Sequence, residues 1–276
     1  ASLLKKAAEK PGISLTFEGV GGDMMEGCGF RSIFPMHDIA VMGVFDVIPR
    51  LPLLKARLDQ TVQAIKDARP DIILSIDCPD FSLRVQKRVR QIQGLNAVQI
   101  HWVAPTVWAW RPGRAKKISR FLDGLLCLYP FEPDYFRDTA LTAIFTGHPF
   151  ADKDFLPESG DGTFSQYGLQ PENKLIGIYP GSRSSELKHH LPVFRDVARR
   201  LVNSVESAHF IVPGFERDRQ ILTDHFREFD NRLTIITDPD HKNGIMPHLD
   251  VAMAVNGTIG LELGLCKIPH ITCYKT

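Results

Sequence analysis

The chain has 276 residues, 43% of them hydrophobic and 24% charged, an ordinary globular composition long enough for two α/β units. A formal net charge of +1 gives no bulk electrostatic case for nucleic acid, so an anionic partner has to be met by local patches. Five dispersed cysteines (Cys28, Cys78, Cys127, Cys266 and Cys273) form no zinc or C-x-x-C spacing, and no apolar run reaches membrane-span length. The expectation is a cytoplasmic protein with reduced thiols, no metal and no cofactor.

In chain order, Ser2–Lys10 reads as a helix already in progress. Strands are expected at Ser14–Gly19, Asp71–Asp77, Ala97–Val103, Gly124–Tyr129 and Ala143–Thr146, where short β-branched runs occur. Amphipathic helices fall between them at Leu51–Ala68, Ser82–Gln93 and Arg114–Leu122. The polar Gly/Pro/Asp-rich stretch from Pro149 to Pro171 reads as a linker, dividing the chain into domains 1–150 and 151–276. The alternation then restarts, with strands at Leu175–Tyr179, Ala208–Val212, Leu233–Thr237, Val251–Val255 and His270–Tyr274. Its helices are expected at Ser185–Asn203, Glu216–Phe229 and Thr258–Cys266. The pattern predicts an α/β fold of two Rossmann-like, doubly wound domains facing across a cleft, with ligands outside the strand carboxyl ends.

The motifs sit just after strands. Pro180-Gly181-Ser182-Arg183 follows a buried-strand pattern and opens a long helix. Gly181 lets the backbone approach a ligand, the helix start offers N–H groups, and Arg183 carries a fork suited to a diphosphate. A plain strand-to-helix turn with Arg183 in solvent is the bland alternative. A second such junction, Asn256-Gly257-Thr258, leads to Glu262 one turn into its helix, where a carboxylate can accept from ribose hydroxyls or simply balance the helix dipole. Together the two junctions favour a sugar-nucleotide pocket.

In the first half, Asp77 ends a buried strand and Asp80 follows on the loop. Asp77 is the candidate general base for a sugar hydroxyl, and Asp80 is expected to cap the next helix. Trp108 and Trp110, followed by Arg111, Arg114, Lys116, Lys117 and Arg120, either line a sugar or acyl site with cations for phosphate, or form a solvated helix face over packed indoles. The apolar stretch 41–58, studded with Arg50, Lys55 and Arg57, suits either shallow membrane insertion or a core helix pair. His148 ends the last strand of the first domain, as a cleft residue or a structural one.

Met42-Gly43, Ile76-Asp77-Cys-Pro-Asp80-Phe81, Val107-Trp108-Ala-Trp110-Arg111, Phe145-Thr-Gly-His148-Pro149, Pro180-Gly-Ser-Arg183 and Gly257-Thr258 with Leu261-Glu262 occur in one order. In that order they resemble lipid-A-disaccharide synthase. The V-W-A-W-R string and P-G-S-R-x-x-E, which ends on Glu186, are specific as a pair. The resemblance implies a GT-B fold and an inverting, metal-free glycosyl transfer. UDP-2,3-diacylglucosamine would be the donor and 2,3-diacylglucosamine 1-phosphate the acceptor. The products would be the β-1,6 disaccharide 1-phosphate and UDP. It implies that Asp77 activates the acceptor 6-hydroxyl. Gly181, Ser182, Arg183, Glu186, Gly257, Thr258 and Glu262 would hold UDP. Met42, Val44, Trp108, Trp110, Arg111 and His148 would face the acceptor or the membrane. It implies work on the cytoplasmic face of the inner membrane, without nucleic acid, and admits a homodimer.

The chain departs from the family in carrying Asn256 where Ser usually precedes Gly-Thr, and in lacking the opening strand with its G-E-x-S-G-D motif. Both ends read as cut. Two other readings stay open: another GT-B UDP-sugar enzyme such as a UDP-sugar 2-epimerase, which leaves 41–58 without a role, and a non-catalytic nucleotide-binding scaffold.

Overall fold

The computed structural model describes residues 12–39, 48–108, 113–152, 161–170 and 172–274. It divides into two units, Ala1–Pro149 and Phe150–Thr276.

The first unit is a parallel four-stranded sheet of order β1-β2-β3-β4, formed by Ile72–Ile76, Val98–Trp102, Gly124–Cys127 and Thr142–Phe145. A single-turn helix α1 (Asp23–Glu26) comes first, then α2 (Leu51–Ala68), α3 (Pro79–Val89) and α4 (Gly113–Ile118). Leu83 of α3 and Ala115 and Ile118 of α4 pack with Leu125 and Cys127 of β3 in one buried cluster. Ile73, Val85, Val89 and Ala97 form a second, flanked by Leu58, Val62 and Ile65 of α2. Gln86 and Gln99 are buried between helix and sheet, where Gln86 Nε2 donates to Ser75 Oγ and the Ile100 carbonyl, each at 3.0 Å. Gln99 Nε2 donates to the Gln86 and Phe121 carbonyls. These bonds satisfy backbone groups that an apolar interior would strand. On the other face, Ile72, Leu74, Ile76, Val98 and Ile144 are exposed.

Two expectations are corrected here. Ser14–Gly19 is not a strand: among the described residues its one pairing is an isolated bridge from Gly19 to Ser32, and Ile13 and Leu15 are exposed. Asp80 does not cap a helix. Pro79, whose missing N–H is harmless at a first helical position, starts α3 three residues earlier than expected, with Cys78 at the N-cap. Asp80 thereby falls inside the first turn, with its side chain 94% exposed and Arg114 at 3.6 Å.

The second unit is a parallel sheet of order β7-β6-β5-β8-β9, formed by β5 (Lys174–Tyr179), β6 (Ala208–Pro213), β7 (Leu233–Ile236), β8 (Val251–Val255) and β9 (His270–Cys273). Its helices are α5 (Asp161–Gln166), α6 (Ser184–Ser204), α7 (Arg219–Phe226), α8 (Pro239–Ile245) and α9 (Thr258–Leu265). β5 is buried over all but its first residue, as its unbroken apolar run requires. Ile178, Phe210 and Val212 pack with Leu187, Leu191 and Phe194 of α6. Ala252, Ala254 and Ile236 pack with Leu263 of α9 and Ile245 of α8. The expected linker is partly helical, because Phe164 and Tyr167 bury against that second cluster and draw α5 onto the unit. The sequence reading also passed over α8.

Candidate functional site

From the central strand β5, chain order runs outward through β6 and β7 on one side and β8 and β9 on the other. The reversal lies between β5 and β8, which pair from Ile176↔Val251 to Tyr179↔Ala254. Their carboxyl ends, with loops departing in opposite directions, are where a doubly wound sheet opens a ligand crevice. Gly181–Arg183 leaves β5 there, and Asn256–Thr258 leaves β8.

Gly181 has φ +107°, and a Cβ on it would stand 2.6 Å from Glu186 Cβ, so the turn needs glycine twice over. Arg183 is the N-cap of α6 in an extended conformation. The expected open amides differ in one respect. Glu186, 7% exposed, turns its carboxylate back so that Oε2 accepts from the Ser182 amide at 2.9 Å and the Arg183 amide at 3.3 Å. Its other oxygen takes Arg183 Nη1. This is the reach of an N3 glutamate back to the N-cap, and it leaves the Ser184 and Ser185 amides without a partner among the described residues. Arg183 is half-exposed and held over the turn by that pair.

Gly257 and Thr258 open α9 and are exposed along with Asn256, whose amide donates to the Cys273 carbonyl at 3.1 Å. Glu262 lies half-buried in α9, close enough to the end of β5 to act on Tyr179. Burial pushes the Tyr179 phenol above its ordinary value, and Cys266 and Glu262 add to the rise. The residues expected at the nucleotide end therefore gather at one edge of one sheet. At the same edge the sequence reading missed Phe215, Arg217 and Lys242, which follow β6 and β7. Their signal was Pro213-Gly214-Phe215, a turn after a strand with an exposed aromatic and basic residues behind it.

In the first unit, the carboxyl edge is built on strained turns. Asp77 (φ 49°), Cys78 (φ 46°) and Val103 (φ 79°) all occupy left-handed backbone without being glycine. The Asp77 amide is tied to the Trp102 carbonyl at 2.9 Å, and Ser82 Oγ donates to the Asp77 carbonyl at 2.8 Å. These bonds hold the backbone and leave the Asp77 side chain exposed at the strand end. Burial pushes the Cys78 thiol up, with Asp77 and Asp80 adding to the shift against the Phe81 amide.

An aromatic row runs along the same edge. Trp108 meets Phe131 edge-on at 5.2 Å between centroids, Phe131 stacks on Tyr129 at 5.7 Å, and Tyr129 lies 5.9 Å from His148. Glu132 stiffens this loop, its buried carboxylate accepting from the Leu128 and Tyr129 amides. The structure thus joins Trp108 and His148, and adds Tyr129 and Phe131, which were not singled out in the sequence. Met42, Val44, Trp110 and Arg111 lie outside the described residues.

Two parallel α/β sheets, one with its strand order reversing beside paired glycine junctions, define a GT-B-type fold. UDP-GlcNAc 2-epimerase from Neisseria meningitidis, solved with UDP-GlcNAc, has this fold with a TM-score of 0.61 at 11% identity, over 90% of this chain and 70% of that one. MnaA from S. aureus, solved with UDP, gives 0.59 at 11% identity over 91% and 68%. A family model described as lipid-A-disaccharide synthetase matches residues 1–276, and the chain belongs to that family. The lipid-A-disaccharide synthase of Rhodospirillum centenum is 38% identical over 260 residues, 94% of this chain and 64% of that protein. That of Granulibacter bethesdensis is 34% identical over 264 residues, 95% and 66% respectively. The chain thus spans just under two thirds of the length of these two relatives.

Proposed function

We propose that the full-length protein transfers the sugar of UDP-2,3-diacylglucosamine to the 6-hydroxyl of 2,3-diacylglucosamine 1-phosphate, giving the β-1,6 disaccharide 1-phosphate and UDP. The observation that carries this is the reversal between β5 and β8, which brings Gly181–Arg183 and Gly257–Thr258 to one sheet edge in a chain of this family. In this reading Asp77 takes the proton of the acceptor hydroxyl, whose oxygen bonds to the anomeric carbon as the bond to UDP breaks. The electron pair goes to the departing phosphate oxygen. Arg183, with the amides at the starts of α6 and α9, stabilises that charge. Glu262 accepts from the ribose. Glu186 takes a positioning part, because its carboxylate is already engaged by two amides and Arg183.

Trp108 and His148 belong to the acceptor side, extended by Tyr129 and Phe131. Among the described residues no helix is long and apolar enough to cross a membrane. The turn 48–50 and the start of α2 instead expose Ile48, Leu51 and Leu53 beside exposed Arg50 and Lys55, which supports shallow contact with acyl chains and anionic headgroups at the cytoplasmic face of the inner membrane. Arg57 has another role, bonding Asp38 and lying 4.8 Å from the Phe34 ring centre.

The test is a transfer assay on the full-length protein with both lipid substrates. Asp77→Asn is expected to lower turnover by about 10²–10⁴-fold with folding intact. Near-normal turnover in that variant removes Asp77 as the base.

A further inference from the structure

Beside the Gly181–Arg183 turn lies a second group of cations, Arg217 and Lys242, gathered around Phe215. Arg217 donates through Nη2 to the Ser182 carbonyl at 3.2 Å, so it is moored to the turn itself. Its guanidinium carbon stands 4.5 Å from the ring centre of Phe215, and Lys242 Nζ stands 4.9 Å from the same centre. Phe215 remains 44% exposed. Lys242 Nζ donates to the Gly214 carbonyl at 2.9 Å. Among the described residues no carboxylate makes an ion pair with it.

The nearby acids leave Lys242 without a direct ion pair. Asp238 accepts from the Asp240 and His241 amides as the cap of α8, and Glu216 holds Arg219 and Thr237. Asp218 faces Arg217 from 3.6 Å. Burial holds the Lys242 ammonium below the usual lysine range, against the pull of Asp238. A half-buried ammonium held by one carbonyl and by Asp238 at a distance, with no direct ion pair, carries a desolvation cost that a bound anion lowers.

We propose that Lys242 and Arg217, flanking Phe215, form a second anion subsite next to the Gly181–Arg183 turn, which takes the terminal phosphate of a nucleoside diphosphate. The proposal rests on the nucleotide reading of that turn. It divides the diphosphate between two places, with Arg183 and the start of α6 meeting one phosphate and the Arg217–Lys242 pair meeting the other. Such a division makes the site select a diphosphate over a monophosphate.

The experiment is calorimetric titration of the full-length protein with UDP and with UMP, for wild type, Lys242→Met, Arg217→Gln and Arg183→Ala. Methionine keeps most of the Lys242 stem, and Arg217 is a surface residue, so at least one of the two variants reports on a folded protein. Lys242→Met and Arg217→Gln are each expected to weaken UDP about ten-fold while leaving UMP within about two-fold, closing the gap between the nucleotides. An unchanged UDP-to-UMP ratio overturns the subsite, as does an equal loss for both nucleotides. Unaltered binding of both in Arg183→Ala overturns the nucleotide reading of the turn, and the subsite with it, and is a separate result from failure of the Lys242 and Arg217 variants alone.

Discussion

At the scale of single residues, the buried histidine of the first sheet has a measurable consequence. His101 is fully buried, with Nδ1 2.7 Å from Ser75 Oγ. Its pKa is lowered to about 4, first by burial and then by Arg114. The folded state therefore resists a proton that the unfolded chain accepts near pH 6.5. The stability that a neutral His101 contributes is whole above about pH 6.5 and is lost as the pH falls toward 4, by about 3 kcal/mol at most. Urea midpoints measured across that range should fall steeply in the wild type and less steeply in His101→Gln, and parallel slopes would show that another group titrates. Although the expected buried strand is buried on one face only, with Ile72, Leu74 and Ile76 exposed, Asp77 was legible in the sequence because an apolar β-branched run ends on it. Its left-handed backbone was not, since nothing in the spacing of an Asp-Cys-Pro string fixes two positive φ angles. The position of Glu186 was equally hidden. Three residues after an N-cap, a glutamate reads the same whether it binds a ligand or seals the helix start.

At the scale of elements, both units close a turn after a strand in the same way, with a buried glutamate accepting from two consecutive amides. Glu132 does this after β3 and Glu186 after β5. Gly181→Ala tests the second of these turns. A methyl group there enters the space of Glu186 at a φ of +107°. The change should cost about 2 kcal/mol or more, release Arg183 from its pair and weaken UDP together with the fold. A thermal midpoint and UDP affinity both at wild-type values would refute the packing described for the turn. Strands were largely readable because β-branched runs in a parallel sheet are continuous and bounded by turn residues. The failure at Ser14–Gly19 has a physical cause, since among the described residues a single isolated bridge, from Gly19 to Ser32, builds no ladder. The omission of α8 was avoidable. Asp238-Pro239 is a helix-start signal, and the structure uses it, with the Asp238 side chain accepting two amides and Pro239 at the first helical position.

At the scale of the whole molecule, alternating strands and helices foretold two α/β units, while the order of strands within each was not written in any local pattern. Order depends on which apolar faces meet, and the reversal between β5 and β8 emerges only from the assembled sheet. That reversal turns two weak glycine signals, 76 positions apart from Gly181 to Gly257, into one edge. The central claim, that this edge binds UDP, is tested most directly by amide hydrogen exchange on the full-length protein with and without UDP. Slowed exchange is expected at Ser182–Ser185 and Asn256–Ile259, the two loops leaving β5 and β8. Tight UDP binding with those amides exchanging as before, and protection appearing elsewhere, would contradict the account.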